Sequence, residues 1–98
     1  MHLGIIGLGR MGANMARRLM RDGHQVVAFD LDRKAVDALA KDGAEPAYQL
    51  SEIVAKLDAP RVAWVMVPAG TATESVVTQL AELMQAGDVV VDGGPLVL

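Results

Sequence analysis

Short apolar runs alternate along this chain with apolar stripes spaced as on a helix. Residues 3–6 form the first run. Gly12, Met15, Ala16 and Leu19 then fall at i, i+3, i+4 and i+7, one face of a helix. Asp22-Gly23 ends that stripe, with the glycine suited to the left-handed residue beyond a helix. Residues 26–29 are the second run. Val36, Leu39 and Ala40 mark a second helix, for which Asp32 is the expected N-cap, and Asp42-Gly43 ends it in the same way. Residues 44–48 read as a short, weak third strand. Ser51 is the expected cap of a short helix that runs through Leu57 and closes at Pro60. Residues 62–67 read as a fully buried fourth strand. Thr71 and Glu74 have capping-box spacing and open a helix with the stripe Val76, Val77, Leu80, Leu83 and Met84. Gly87 stops it, and residues 88–92 make a fifth strand.

Strand and helix thus alternate, and the strands are nearly continuous apolar runs. That pattern predicts an α/β fold with a doubly wound parallel sheet covered on both faces. No linker or low-complexity stretch interrupts it, so residues 1–98 read as one domain that stops after about five strands. The aromatic residues are Phe29, Tyr48 and Trp64, so the core must be built from aliphatic side chains and methionine. Nine basic against twelve acidic residues give a net charge of -3, without the clustered cations that a nucleic-acid partner requires. No apolar run reaches the ~18 residues of a membrane span. No basic stretch followed by an apolar signal core opens the chain. A cytoplasmic location without a membrane partner is the expectation. The absence of cysteine excludes disulfides, thiolate metal sites and cysteine nucleophiles. No His/Asp/Glu cluster has metal-ligand spacing, and His2 and His24 read as bystanders.

The chemistry concentrates at Gly7-Leu8-Gly9-Arg10-Met11-Gly12. This G-x-G-x-x-G follows an apolar strand and opens a helix. It lies in a strand–helix–strand unit of about 30 residues, and an acid follows about 20 residues on. Gly7 permits the tight turn out of the strand, Gly9 lets backbone approach a pyrophosphate, and Gly12 lets the helix pack closely. N–H groups around Arg10, Met11 and Gly12 then face the anion at the positive end of the helix. The motif makes the domain a Rossmann-type binder of a dinucleotide. Asp30, at the end of the second strand, can accept both ribose hydroxyl protons and repels a 2′-phosphate. Leu31 offers that phosphate nothing, and Asp32 adds negative charge. Arg33 and Lys34 weigh the other way, since either can swing toward a 2′-phosphate. The balance of charge favours NAD over NADP.

Together with Val65-Met66-Val67-Pro68-Ala69-Gly70 and Asp92-Gly93-Gly94, the loop resembles the N-terminal part of 6-phosphogluconate dehydrogenases. The resemblance extends to the NAD-preferring, decarboxylating branch and to the broader 3-hydroxyisobutyrate dehydrogenase-like superfamily. It covers the chain to Gly94. It implies cofactor contacts at residues 7–12, at Asp30, Leu31 and Asp32, and at Val67, Pro68 and Ala69. NADP-using members commonly place Asn-Arg-Thr where this chain has Asp30-Leu31-Asp32, which again favours NAD. The family usually has asparagine after Asp-Gly-Gly; this chain has Pro95, with neither a side-chain donor nor a backbone N–H. The closing Pro95-Leu96-Val97-Leu98 is unlike the family's polar continuation.

The resemblance implies an oxidoreductase of 6-phosphogluconate, with its catalytic lysine and acid beyond the end of this chain. The chain is therefore expected to be a fragment of a longer enzyme, inactive alone. A stand-alone dinucleotide-binding module, or the cofactor domain of another 3-hydroxy acid dehydrogenase, are the alternative readings. Val89, Val90 and Val91 are expected on an open sheet edge, which invites self-association.

Overall fold

The computed structural model describes residues 2–66 and 71–92; of residues 71–73 and of Asp92 it describes the backbone alone. The elements run β1 (His2–Ile6), α1 (Arg10–Arg21), β2 (Gln25–Phe29), α2 (Arg33–Lys41), β3 (Glu45–Ala47), α3 (Leu50–Lys56), β4 (Val62–Val65), α4 (Thr71–Leu83) and β5 (Val89–Asp92). All strands pair in parallel, in the order β3-β2-β1-β4-β5. The chain winds outward from β1 to β3, then returns across β1 to build β4 and β5. This is the doubly wound plan that the alternating pattern predicts.

Side chains alternate across the sheet and divide the core in two. Leu3, Ile5, Val26 and Ala28 pack with Ala16 of α1 and with Val36 and Leu39 of α2. Ile6, Val27, Phe29, Ala63 and Val65 face the other way, onto Ile53 and Val54 of α3 and Leu80 of α4. The first two helices end as expected, with Gly23 at φ 91° and Gly43 at φ 114°. At α1 the Gly23 and His24 N–H groups donate back to Met20 and Leu19 carbonyls at 3.1 and 3.0 Å, which satisfies the open helix end.

Three local expectations are corrected. α3 starts at Leu50 with Gln49 as N-cap, so Ser51 lies inside the first turn and is not the cap. The early start buries part of Leu50 against the α3–α4 core, and the Glu52 carboxylate reaches back to accept the Tyr48 N–H at 3.3 Å. β4 is shorter than expected and alternates: Ala63 and Val65 are buried, Val62 and Trp64 half-buried. The reason is that α1 and α2 pack over β1, β2 and β3 and leave β4 less covered on that face. Leu83 is 43% exposed, because Leu80 and Met84 carry the inward side of the end of α4 and Leu83 lies off it.

Asp88 precedes β5 and acts as a clamp. Its side chain is 2% exposed and accepts the Arg61 N–H at 2.6 Å, the Gln85 N–H at 2.8 Å and Arg61 Nη1 at 3.2 Å. The two backbone bonds, Arg61 first, hold its carboxyl below the ordinary carboxylate range. The expected Thr71 cap falls on a side chain outside the described residues. Among the described residues no helix is long and apolar enough to cross a membrane, and no cluster of His, Asp and Glu is placed to hold a metal.

Candidate functional site

β1 and β4 are neighbours, yet α1 leaves β1 over one face of the sheet and α4 follows β4 over the other. The carboxyl ends of these two strands therefore open a crevice, where doubly wound sheets take their ligands. The loop at residues 7–12 lies in it. The Gly7 N–H donates to the Phe29 carbonyl at 2.9 Å, adding one rung to the β1–β2 ladder. Its φ of 97° then turns the chain out of the strand. On the other side of β1, the Met66 N–H donates to the Ile6 carbonyl at 2.7 Å.

Gly9 is the N-cap of α1, so no side chain caps this helix, and its first turn contains no acid. The first-turn N–H groups of Arg10, Met11 and Gly12 have no partners within the helix and sit at the positive end of its dipole. Two glycines here do different work. A Cβ on Gly12 would lie 2.0 Å from the Gly7 carbonyl oxygen, so the fold itself demands glycine there. A Cβ on Gly9 would meet nothing within 4 Å, and the φ of -63° is ordinary for any residue. Nothing in the fold demands glycine at position 9. Its missing side chain instead leaves backbone bare at the mouth of the crevice. The uncapped helix end and this bare cradle fit a dinucleotide pyrophosphate.

Asp30 leaves the end of β2 beside that loop. Its Oδ2 accepts the Leu8 N–H at 2.6 Å and its Oδ1 accepts the Asp32 N–H at 2.8 Å. Sequence spacing does not reveal this link between carboxylate and loop, which joins residues 22 apart. Leu8 turns its side chain into the α1–α2 core. Arg10 is exposed, and Met11 and Leu31 are the two most exposed large apolar side chains among the described residues, at 70% and 92%. They flank the loop and the end of β2. Asp32 caps α2, its carboxylate accepting the Lys34 N–H at 3.0 Å. Val67, Pro68 and Ala69 lie outside the described residues.

Arg33 is turned onto Tyr48. Its guanidinium stacks over the Tyr48 ring, 4.4 Å from the centroid. The Tyr48 hydroxyl donates to Asp37 Oδ1 at 2.5 Å. That bond, with partial burial second, pushes the Tyr48 pKa above the ordinary tyrosine value. His2 and His24 lie at the opposite end of the sheet: His2 Nε2 pairs with Glu45 at 3.1 Å, and His24 Nδ1 is buried without a partner.

Residues 2–96 match the family model described as the NAD binding domain of 6-phosphogluconate dehydrogenase. A Haloferax volcanii protein, the NAD(+)-dependent, decarboxylating 6-phosphogluconate dehydrogenase, is 48% identical over 94 residues, covering 96% of this chain and 31% of that protein. Among solved structures, Mycobacterium tuberculosis 3-hydroxyisobutyrate dehydrogenase superimposes with a TM-score of 0.84 at 28% identity, over 95% of this chain and 31% of that one. Plasmodium falciparum 6-phosphogluconate dehydrogenase shares the fold, with a TM-score of 0.87 at 21% identity, over 96% of this chain and 21% of that one. The chain thus spans about a third or less of the length of these proteins.

Proposed function

The chain belongs to the family of NAD-binding domains of 6-phosphogluconate dehydrogenases, and from that premise we propose that it binds NAD in preference to NADP, as the cofactor domain of an oxidoreductase acting on 6-phosphogluconate. The observation that carries the preference is Asp30, whose carboxylate stands at the end of β2 within 2.6 Å of the loop nitrogen of Leu8. A 2′-phosphate would have to sit against this negative charge, with Asp32 close by and Leu31 offering no donor. In this reading the pyrophosphate lies over Gly9, on the N–H groups of Arg10, Met11 and Gly12. Arg10 adds a charge contact, Asp30 takes the ribose hydroxyls, and Met11, Leu31 and Asp32 border the adenosine. Val67, Pro68 and Ala69, after β4, complete the contact set. Bound NAD supplies the hydride acceptor, while the domain supplies position and electrostatics. Calorimetric titration is expected to give tighter binding for NAD than for NADP; equal or reversed affinities would sink the argument from Asp30.

Among the described residues, β5 is an edge strand of the sheet. β5 pairs with β4 on one side, and Val89 is 47% exposed. We propose that the isolated chain self-associates by adding a second copy along β5. Gel filtration with light scattering at tens of micromolar, roughly where such edges begin to associate, is expected to show species above monomer mass. A clean monomer there would rule this out.

A further inference from the structure

The dinucleotide reading leaves Arg33 unexplained. Arg33 is the first residue of α2, immediately after Asp30, Leu31 and Asp32. From that position an arginine can serve a 2′-phosphate, the group that distinguishes NADP from NAD. The side chain is instead held elsewhere. Tyr48 follows β3, on the far side of β2 from the loop at residues 7–12, because the sheet order is β3-β2-β1. Its ring lies under the Arg33 guanidinium at 4.4 Å. Its hydroxyl is anchored one helical turn along α2, on Asp37 at 2.5 Å. Arg33 and Asp37 thus grip one ring from its face and its hydroxyl end. The grip draws the guanidinium toward the β3 side of the domain. A guanidinium over an aromatic face is attracted by the ring quadrupole, so the position is favoured as well as occupied.

Resting on the cofactor reading above, we infer that Tyr48 and Asp37 form a latch that holds Arg33 away from the adenosine ribose and so sharpen the discrimination against NADP. Asp30 repels the 2′-phosphate directly. The latch withholds the nearby cation that would offset that repulsion. The two devices are independent: one is a charge at the end of β2, the other a contact between α2 and the segment after β3. Tyr48, Asp37 and Arg33 are specificity residues in this account, and none of them is needed to hold NAD itself.

Tyr48→Leu keeps apolar bulk on the partly buried site while removing both the ring face and the hydroxyl. Calorimetric titration of this variant with NAD and with NADP is expected to narrow the preference for NAD by about tenfold, the worth of one charge-assisted contact to phosphate. NAD affinity itself should barely move. Adding Arg33→Gln to Tyr48→Leu should restore the wild-type ratio. That double variant separates Arg33 from Lys34, which remains free to act in both backgrounds. Asp37→Ala, on the exposed face of α2, serves if the tyrosine variant does not fold, and should shift the ratio in the same direction. An unchanged ratio in a folded latch variant, or a gain in NADP affinity that survives loss of Arg33, would overturn the proposal. The latch also has a signature that needs no cofactor. Tyr48 is the single tyrosine of the chain, so near-ultraviolet absorbance reads its ionisation alone. Asp37→Ala should move that ionisation down toward the ordinary value, and no movement would show that the hydroxyl is not held. A wild-type chain that binds neither dinucleotide would refute the cofactor reading, whereas the titration tests the latch separately.

Discussion

Gly12→Ala is expected to destabilise the domain by about 3 kcal/mol and to abolish measurable dinucleotide binding, the upper end of what overpacking costs. The added Cβ would stand 2.0 Å from the Gly7 carbonyl oxygen and 3.1 Å from its carbon. Both are backbone atoms, so no rotamer change relieves the clash. α1 must back away from the loop, and Met66, whose Cβ is 3.4 Å from the same point, blocks easy repacking on that side. Displacing α1 also breaks the packing of Ala16 in the α1–α2 core. Denaturant unfolding should show a lower midpoint with an unchanged slope, the signature of lost stability without a change in exposed area. Gly9→Ala is the matched control. No atom contests its Cβ and its φ is ordinary. Loss of a good N-cap residue and gain from a stiffer unfolded chain nearly cancel, so stability should stay within about 1 kcal/mol. Affinity for NAD should nevertheless fall, because the methyl group occupies the approach of the pyrophosphate. If Gly9→Ala bound NAD as tightly as wild type, the pyrophosphate would not lie over that residue.

These two glycines show what a sequence can and cannot reveal. The motif assigns both, and the structure separates the one required by the fold from the one explained only by a ligand. Features set by neighbours along the chain were legible. The left-handed glycines after α1 and α2, the Asp32 cap and the apolar alternation all depend on a few consecutive residues. Features set by packing were not. Ser51 has the chemistry of an N-cap, but burial of Leu50 starts α3 two residues earlier and leaves Ser51 inside it. Leu83 fits the stripe of α4, yet Leu80 and Met84 take the core side there and leave it largely exposed. Asp88 reads as the first residue of a strand, and three donors from Arg61 and Gln85 make it a clamp instead. The Tyr48–Asp37 contact crosses from α2 to the segment after β3, and no periodicity encodes such a pair.

Asp30 is where local and distant information meet, and its substitution is expected to have the second large effect. The sequence places an acid at the end of β2 and so predicts a ribose contact. The structure adds that the same carboxylate already accepts the Leu8 N–H at 2.6 Å and the Asp32 N–H at 2.8 Å. A carboxylate has roughly four acceptor positions, so two remain for ribose hydroxyls while two hold the loop and the start of α2. Asp30→Ala removes both functions. It leaves the part-buried Leu8 N–H unpaired, at a cost of about 1–3 kcal/mol, and should lower NAD affinity about a hundredfold, or ~2.7 kcal/mol. Asp30→Asn divides the functions, because its amide keeps one carbonyl oxygen for a backbone N–H but loses the charge. Its stability should fall less than that of the alanine variant, and the ratio of NAD to NADP affinity should approach one. Denaturant unfolding and paired calorimetric titrations measure the two effects separately. A neutral asparagine that left the preference for NAD intact would show that charge at Asp30 does not select the cofactor. The discrimination would then have to come from another group, with the neighbouring Asp32 carboxylate the next charge to test, and Asp32→Asn in the Asp30→Asn background would test it.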